Sequence, residues 1–293
     1  MKQKVALVLS GGGSKGLAHI GAINILEKNG FEITSIAGTS IGSVIGGLYA
    51  MGRMQEYADW IKSLNKKSIW GLMDFTLSKK GLVKGERVFE QMKAFIPDMM
   101  IEEMKIPFAA VATDVLNEKE VVFTTGSFYS AIRASVAIPT IFIPVKQDDI
   151  ILVDGGVLSP VPIEFVKRNP GDILVVVNLY APVDENNDIQ LIPETPEPED
   201  EPETFLDKLS RWLISGDKKD VSYFDLLSAT TSCMVHKMAQ QTIDKYKPDI
   251  LVNIPHDAAN AFDFHKSDIL IQMGAQQAQK AINKYQLSKI NQG

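Results

Sequence analysis

Along the chain, short Val/Ile-rich runs alternate with segments whose apolar positions recur at helical spacing. The runs predict strands at Val5–Leu9, Ile33–Ala37, Phe108–Thr113, Ile151–Val153, Ile173–Asn178 and Ile250–Ile254, with a further pair around Glu120–Thr124 and Ile141–Pro144. Most of the long runs are apolar throughout instead of alternating, as strands covered on both faces are. Helical spacing predicts helices at Lys15–Asn29, Ser43–Met51, Gly85–Phe95, Phe128–Val136 and Phe224–Lys245, and from Ser267 to the C-terminus. In the last of these Ser267 stands as the cap, ahead of Ile269, Leu270 and Met273. Strands and helices in this alternation imply an α/β protein with a largely parallel sheet.

Two stretches depart from that rhythm. Pro193–Asp207 carries seven acidic residues and four prolines, which oppose helix and sheet alike and read as an exposed loop. The segment after it places Phe205, Leu209, Trp212 and Leu213 on one helical face, a stripe open to core packing or to membrane contact. The aromatic-rich stretch Trp60–Phe75 is open to two readings as well, a cover for a site or a contact with lipid.

Composition then narrows the function classes. With 45% apolar residues in 293, the chain has ample core material, which excludes a disordered acidic protein. No apolar run approaches the ~18 residues of a spanning helix. The N-terminal apolar stretch ends after Leu9, so it reads as a first strand and not as a secretory segment. A net charge of −6 with no basic tract argues against a nucleic-acid partner. The single Cys233 excludes internal disulfides and thiolate metal clusters and fits a reducing, cytoplasmic compartment. No metal or cofactor is expected, and histidine chemistry is confined to His19, His236, His256 and His265.

The first predicted strand runs into Ser10-Gly11-Gly12-Gly13-Ser14-Lys15-Gly16. Gly11, Gly13 and Gly16 satisfy G-x-G-x-x-G, but no acidic residue ends the second strand to hold a ribose, so the dinucleotide reading is weak. A P-loop is excluded by spacing. Consecutive glycines ahead of a helix can also turn backbone N–H groups toward one anion, including the transient oxyanion of acyl transfer. The second strand ends in Gly38-Thr39-Ser40-Ile41-Gly42, followed by a small-residue helix. G-x-S-x-G arises by chance in roughly one tenth of chains this long. The order strand, glycine-flanked serine, helix is the context a nucleophile elbow requires.

A serine hydroxyl needs a base. His236, His256 and His265 lie downstream, so a Ser–Asp–His order through Asp154 is formally available. Asp154 is itself a candidate base: four apolar residues lead into it and Gly155 and Gly156 follow. An ordinary aspartate, at a pKa of about 3.9, is a weak base, and desolvation by the apolar run would raise it. Asp114 also ends a predicted strand and is the competing acid.

Taken together, Ser10–Gly16, Gly38–Gly42 and Asp154-Gly155-Gly156 resemble the patatin-like phospholipase family of bacterial type. The likeness extends to Leu17-Ala18-His19-Ile20-Gly21, to Ala134–Pro139 and to FDFHKSDILIQMG near the end. The resemblance implies one patatin-like domain over residues 1–293, three-layer α/β/α with a largely parallel central sheet. It would carry the acidic loop at 193–207 and a helical C-terminal part at 208–293. It further implies a lipid acyl hydrolase in which Ser40 attacks the ester and Asp154 acts as general base, without histidine. Backbone N–H groups of Gly12 and Gly13 would form the oxyanion hole, with Lys15 beside them and Gly11, Gly16, Gly38, Gly42, Gly155 and Gly156 supporting the motifs. Many relatives carry arginine where this chain has Lys15, which keeps the charge but loses the bidentate fork. His19 is assigned to packing. The implied partner is a lipid or acyl-ester substrate, with peripheral membrane contact. The competing readings are a Ser-Asp-His esterase and a non-catalytic lipid binder on the same fold.

Overall fold

The computed structural model describes residues 2–72, 85–183 and 223–291. The strands are β1 (Gln3–Leu9), β2 (Phe31–Thr39), β3 (Phe108–Asp114), β4 (Lys119–Phe123), β5 (Val145–Gln147), β6 (Ile150–Asp154), β7 (Ile173–Ala181) and β8 (Ile250–Pro255). The helices are α1 (Leu17–Lys28), α2 (Ile41–Met51), α3 (Met54–Ser63), α4 (Lys66–Leu72), α5 (Glu86–Phe95), α6 (Phe128–Ser135), α7 (Tyr223–Tyr246) and α8 (Ser267–Ile290). One sheet runs β5-β6-β3-β2-β1-β7-β8, with β4 on the other edge of β3. The β1–β2, β1–β7, β2–β3 and β7–β8 pairs are parallel, whereas β4, β5 and β6 join antiparallel.

Successive residues of β1 go to opposite faces, as a pleated strand requires. Val5, Leu7 and Leu9 enter one apolar core with Leu17, Ile20 and Ile23 of α1, Ile45 and Leu48 of α2, and Leu270 and Met273 of α8. Ala6 and Val8 enter the other with Val161, Ile163 and Val166 and with Ala239 of α7. The sheet is therefore covered on both sides, and its continuous apolar runs follow from that. This is the three-layer α/β/α arrangement, and β1 at its centre has its last five residues wholly buried.

Three sequence readings need correction. Ile141–Pro144 is not a strand: Thr140 has φ 71°, Ile141 and Phe142 donate backward to Ile138 O, and Pro139 and Pro144 have no N–H to give. The strand starts instead at Val145. Ser267 is the first residue of α8 and makes no side-chain cap; Lys266 holds the cap position. Finally, α3 and α4 form where no helix was predicted; α4 and the last four residues of α3 lie within Trp60–Phe75. The acidic loop and the Phe205–Leu213 stripe lie outside the described residues.

The junction of β2 and β6 positions the site. β4 occupies one edge of β3 from Ala110 to Asp114, so β2 and β6 must share the other. β2 runs parallel to β3 and stops with Thr39 beside Val111, while β6 runs antiparallel and stops with Asp154 beside Ala112. The two strands meet head-on, and the residue after Thr39 lands against Asp154.

Candidate active site

That residue is Ser40. It links β2 to α2 with φ 55° and ψ −128°, a strained backbone that costs a non-glycine residue roughly 1–3 kcal/mol. The surroundings impose the turn. A Cβ on Gly38 would run into the Gly42 carbonyl, and one on Gly42 into the carbonyl of Leu9, so both flanking glycines allow the chain to double back. The turn is closed by Ser43, whose amide and hydroxyl both donate to Ser40 O.

Ser40 Oγ donates to Asp154 Oδ2 at 2.5 Å. The other carboxylate oxygen accepts from Gly156 N at 2.7 Å, and the Asp154 amide is tied to Ala137 O. Both side chains are almost closed to solvent, at 5% and 6% exposure. Burial pushes the Asp154 pKa up to about 6, against the opposing pull of the Ser40 and Gly156 hydrogen bonds. Gly155 has no room for a side chain, because a Cβ there would meet Val111 O.

Ser135, at the end of α6, accepts from Ser40 N at 2.9 Å and donates to Val111 O at 2.6 Å. It ties the elbow to β3. Ser135 lies within Ala134–Pro139, and a serine ending a helix carries no local signal of such a role.

The glycine-rich loop lies against the elbow. Gly12 and Gly13 take φ 153° and 62°, and a Cβ on Gly13 would stand 2.8 Å from Ala261 O. The amides on either side are occupied, Gly11 N by Pro160 O and Ser14 N by Ala261 O. Those of Gly12 and Gly13 make no such bond among the described residues. Gly16 packs against Ile41, the first residue of α2. Lys15 is buried and its Nζ donates to His256 O at 2.7 Å; burial lowers its pKa to about 8, partly offset by Asp257.

The remaining titratable candidates sit elsewhere. Asp114 accepts from Leu116 N and from Asn117 within its own turn, and the Asn117 bond leads in holding its pKa down. His19 is fully buried against Ser10 O, and desolvation lowers its pKa to about 4. His236 and His256 pack ring on ring at 5.0 Å, with Tyr180 against His236. No hydrogen bond joins His236, His256 or His265 to Ser40 or Asp154 among the described residues. Nor do three His, Cys, Asp or Glu side chains group there as a metal site would require.

Ser40 and Gly13 open onto an apolar cleft of about 140 Å³. Its walls include Ile41 and Val44 of α2, Tyr57, Trp60 and Ile61 of α3, Ile69 and Leu72 of α4, and Val88, Phe89 and Met92 of α5. Trp60, Ile61, Leu64, Ile69 and Leu72, all within Trp60–Phe75, line this cleft; residues 73–75 lie outside the described residues. No described helix is long and apolar enough to cross a membrane.

A largely parallel, doubly covered sheet with a sharp serine turn, a buried carboxylate and a glycine-rich loop at one place defines an α/β protein. The match to the patatin-like phospholipase model spans residues 7–167, more than half of the chain, and the chain belongs to that family. An uncharacterized NTE family protein of Mycobacterium tuberculosis is 41% identical over 176 residues, 60% of this chain and 49% of that protein. The lysophospholipase NTE1 of Cryptococcus neoformans is 31% identical over 216 residues, 72% of this chain and 12% of that protein. The chain spans about half the length of the first of these curated relatives, and far less of the second. Among solved structures, VipD from Legionella pneumophila covers 97% of this chain and is itself covered to 67%, at TM-score 0.49 and 14% identity.

Proposed function

We propose that this chain is a serine hydrolase of lipid acyl esters that works through a Ser40–Asp154 dyad. The observation that carries the reading is the 2.5 Å bond from Ser40 Oγ to a desolvated carboxylate at the mouth of an apolar cleft. The family, and the name of the lysophospholipase relative, support the substrate class. An acyl chain lies in the cleft, with its carbonyl carbon at Ser40. Asp154 takes the hydroxyl proton as Ser40 Oγ adds to the carbonyl, and the amides of Gly12 and Gly13 receive the oxyanion. On collapse the ester C–O bond breaks and Asp154 returns the proton to the departing alcohol. Water then attacks the acyl-enzyme, again with Asp154 as base, and Ser40 is released.

The raised pKa of Asp154 makes it a stronger base than an exposed aspartate while leaving it ionised at neutral pH. The reading is tested with a fluorophosphonate probe and a panel of acyl esters. Ser40 should be labelled in wild type, and Ser40→Ala and Asp154→Ala should each lose turnover by a factor of about 10² or more. A Ser-Asp-His esterase would instead lose as much on His236→Ala, His256→Ala or His265→Ala, and a non-catalytic lipid binder would bind lipid while escaping the probe. Contact with a membrane surface is part of the proposal, and failure to sediment with liposomes at low salt would count against it.

A further inference from the structure

We infer that Tyr180, near the end of β7, is a further catalytic residue that holds the departing alcohol oxygen as Ser40 is acylated; the inference rests on the hydrolase reading above. Two glycines locate its hydroxyl. A Cβ built on Gly11 would stand 2.7 Å from Tyr180 Oη and 3.3 Å from Ser40 Cβ. A Cβ built on Gly156 would stand 3.0 Å from Asp154 Oδ1 and 3.8 Å from Tyr180 Oη. Neither glycine has a positive φ, so the backbone at both positions would accept other residues. What the positions exclude is volume: a side chain on either would fill the space between Tyr180 Oη and the dyad.

Tyr180 does not line the apolar cleft, which reaches the site at Ser40 and Gly13. The hydroxyl has no hydrogen-bond partner among the described residues, although burial and the Asp154 charge both act on it. Its ring is held in place by His236, at 5.5 Å between centroids, and its amide by Asn178 Oδ1 at 3.0 Å. A fixed, unengaged O–H donor beside the reacting serine and outside the acyl cleft is placed for the alcohol half of an ester. As the C–O bond breaks, its electron pair passes to the alcohol oxygen, which takes its proton from Asp154. Tyr180 donates a hydrogen bond to that oxygen and keeps its own proton, as its upward-shifted pKa requires.

An alkoxide of high basicity needs such a donor far more than a phenolate does. The test is Tyr180→Phe, which retains the ring against His236, assayed on a p-nitrophenyl ester and an alkyl ester of the same acyl chain. The expected result is a fall of about 10- to 100-fold in kcat/KM for the alkyl ester, the worth of a hydrogen bond to a charged oxygen. The aryl ester and the rate of fluorophosphonate labelling at Ser40 should change by less than about threefold. Both esters are measured on one preparation, so partial unfolding lowers both alike and leaves their ratio intact. An unchanged ratio in Tyr180→Phe, with wild type active on both esters, overturns the role of Tyr180 alone. Wild type that cleaves neither ester and escapes the probe overturns the hydrolase reading and this inference with it.

Discussion

In Asp154→Asn a buried carboxylate is exchanged for a neutral side chain of nearly the same shape. The amide can satisfy the same neighbours, with its oxygen accepting from Gly156 N and its nitrogen donating to Ser40 Oγ. What changes is the charge. Burial raises the Asp154 pKa from 3.8 to about 6, so the folded protein binds this proton more tightly than the unfolded chain. The stability associated with the protonated group is complete below about pH 4 and is lost as the pH rises through about 6. A shift of about 2 units corresponds to about 3 kcal/mol at pH 8. Asparagine has no such loss. The variant should therefore match wild type near pH 4 and exceed it by about 3 kcal/mol at pH 8, while turnover disappears. Urea unfolding followed by tryptophan fluorescence at pH 4, 6 and 8 measures the difference, and other titrating groups cancel because both proteins share them. Parallel stability curves from pH 4 to 8 would refute the claim that desolvation sets the basicity of Asp154.

Three further outcomes follow from the same geometry. Wild-type kcat/KM should climb with pH up to about 6 and level off above it, because the base must be ionised to accept the serine proton; a profile flat from pH 4.5 to 8 would contradict this. Ser135→Ala leaves Ser40 N and Val111 O without their shared partner, and should cost about 1–3 kcal/mol in unfolding free energy and slow probe labelling at Ser40. Val44→Phe places a ring in the cleft one helical turn from Ser40, so the ester-length profile should shift toward short acyl chains with labelling by a small probe retained.

Much of this was legible locally. The strand–Gly-Thr-Ser-Ile-Gly–helix text is legible as a sharp strand-to-helix turn because the geometry of Ser40 is set within five residues, by glycines that let the chain double back. The apolar runs of β1, β2 and β7 read as doubly covered strands because burial on two faces leaves no polar alternation. Where the local signal was mixed, reading faltered. Phe142 and Ile143 looked strand-like, yet prolines on either side withhold backbone donors and the chain turns there instead. The amphipathic α3 is not among the predicted helices, and only its last four residues fall in the aromatic-rich Trp60–Phe75.

Asp154 shows the boundary most clearly. The apolar run before it marks it as a strand end, but nothing local shows that β6 runs antiparallel to β3. Asp154 reaches Ser40 because β2 and β6 meet head-on along one edge of β3, a matter of register between segments 114 residues apart. The order of bases, the anchoring by Ser135, the apolar cleft assembled from α2 to α5 and the space before Tyr180 Oη are likewise products of packing. By itself the sequence determined those features that neighbouring residues enforce through backbone sterics and hydrophobic period. Which distant groups face Ser40, and how dry its carboxylate is, only the tertiary structure decided, since desolvation and strand register arise when the whole sheet closes.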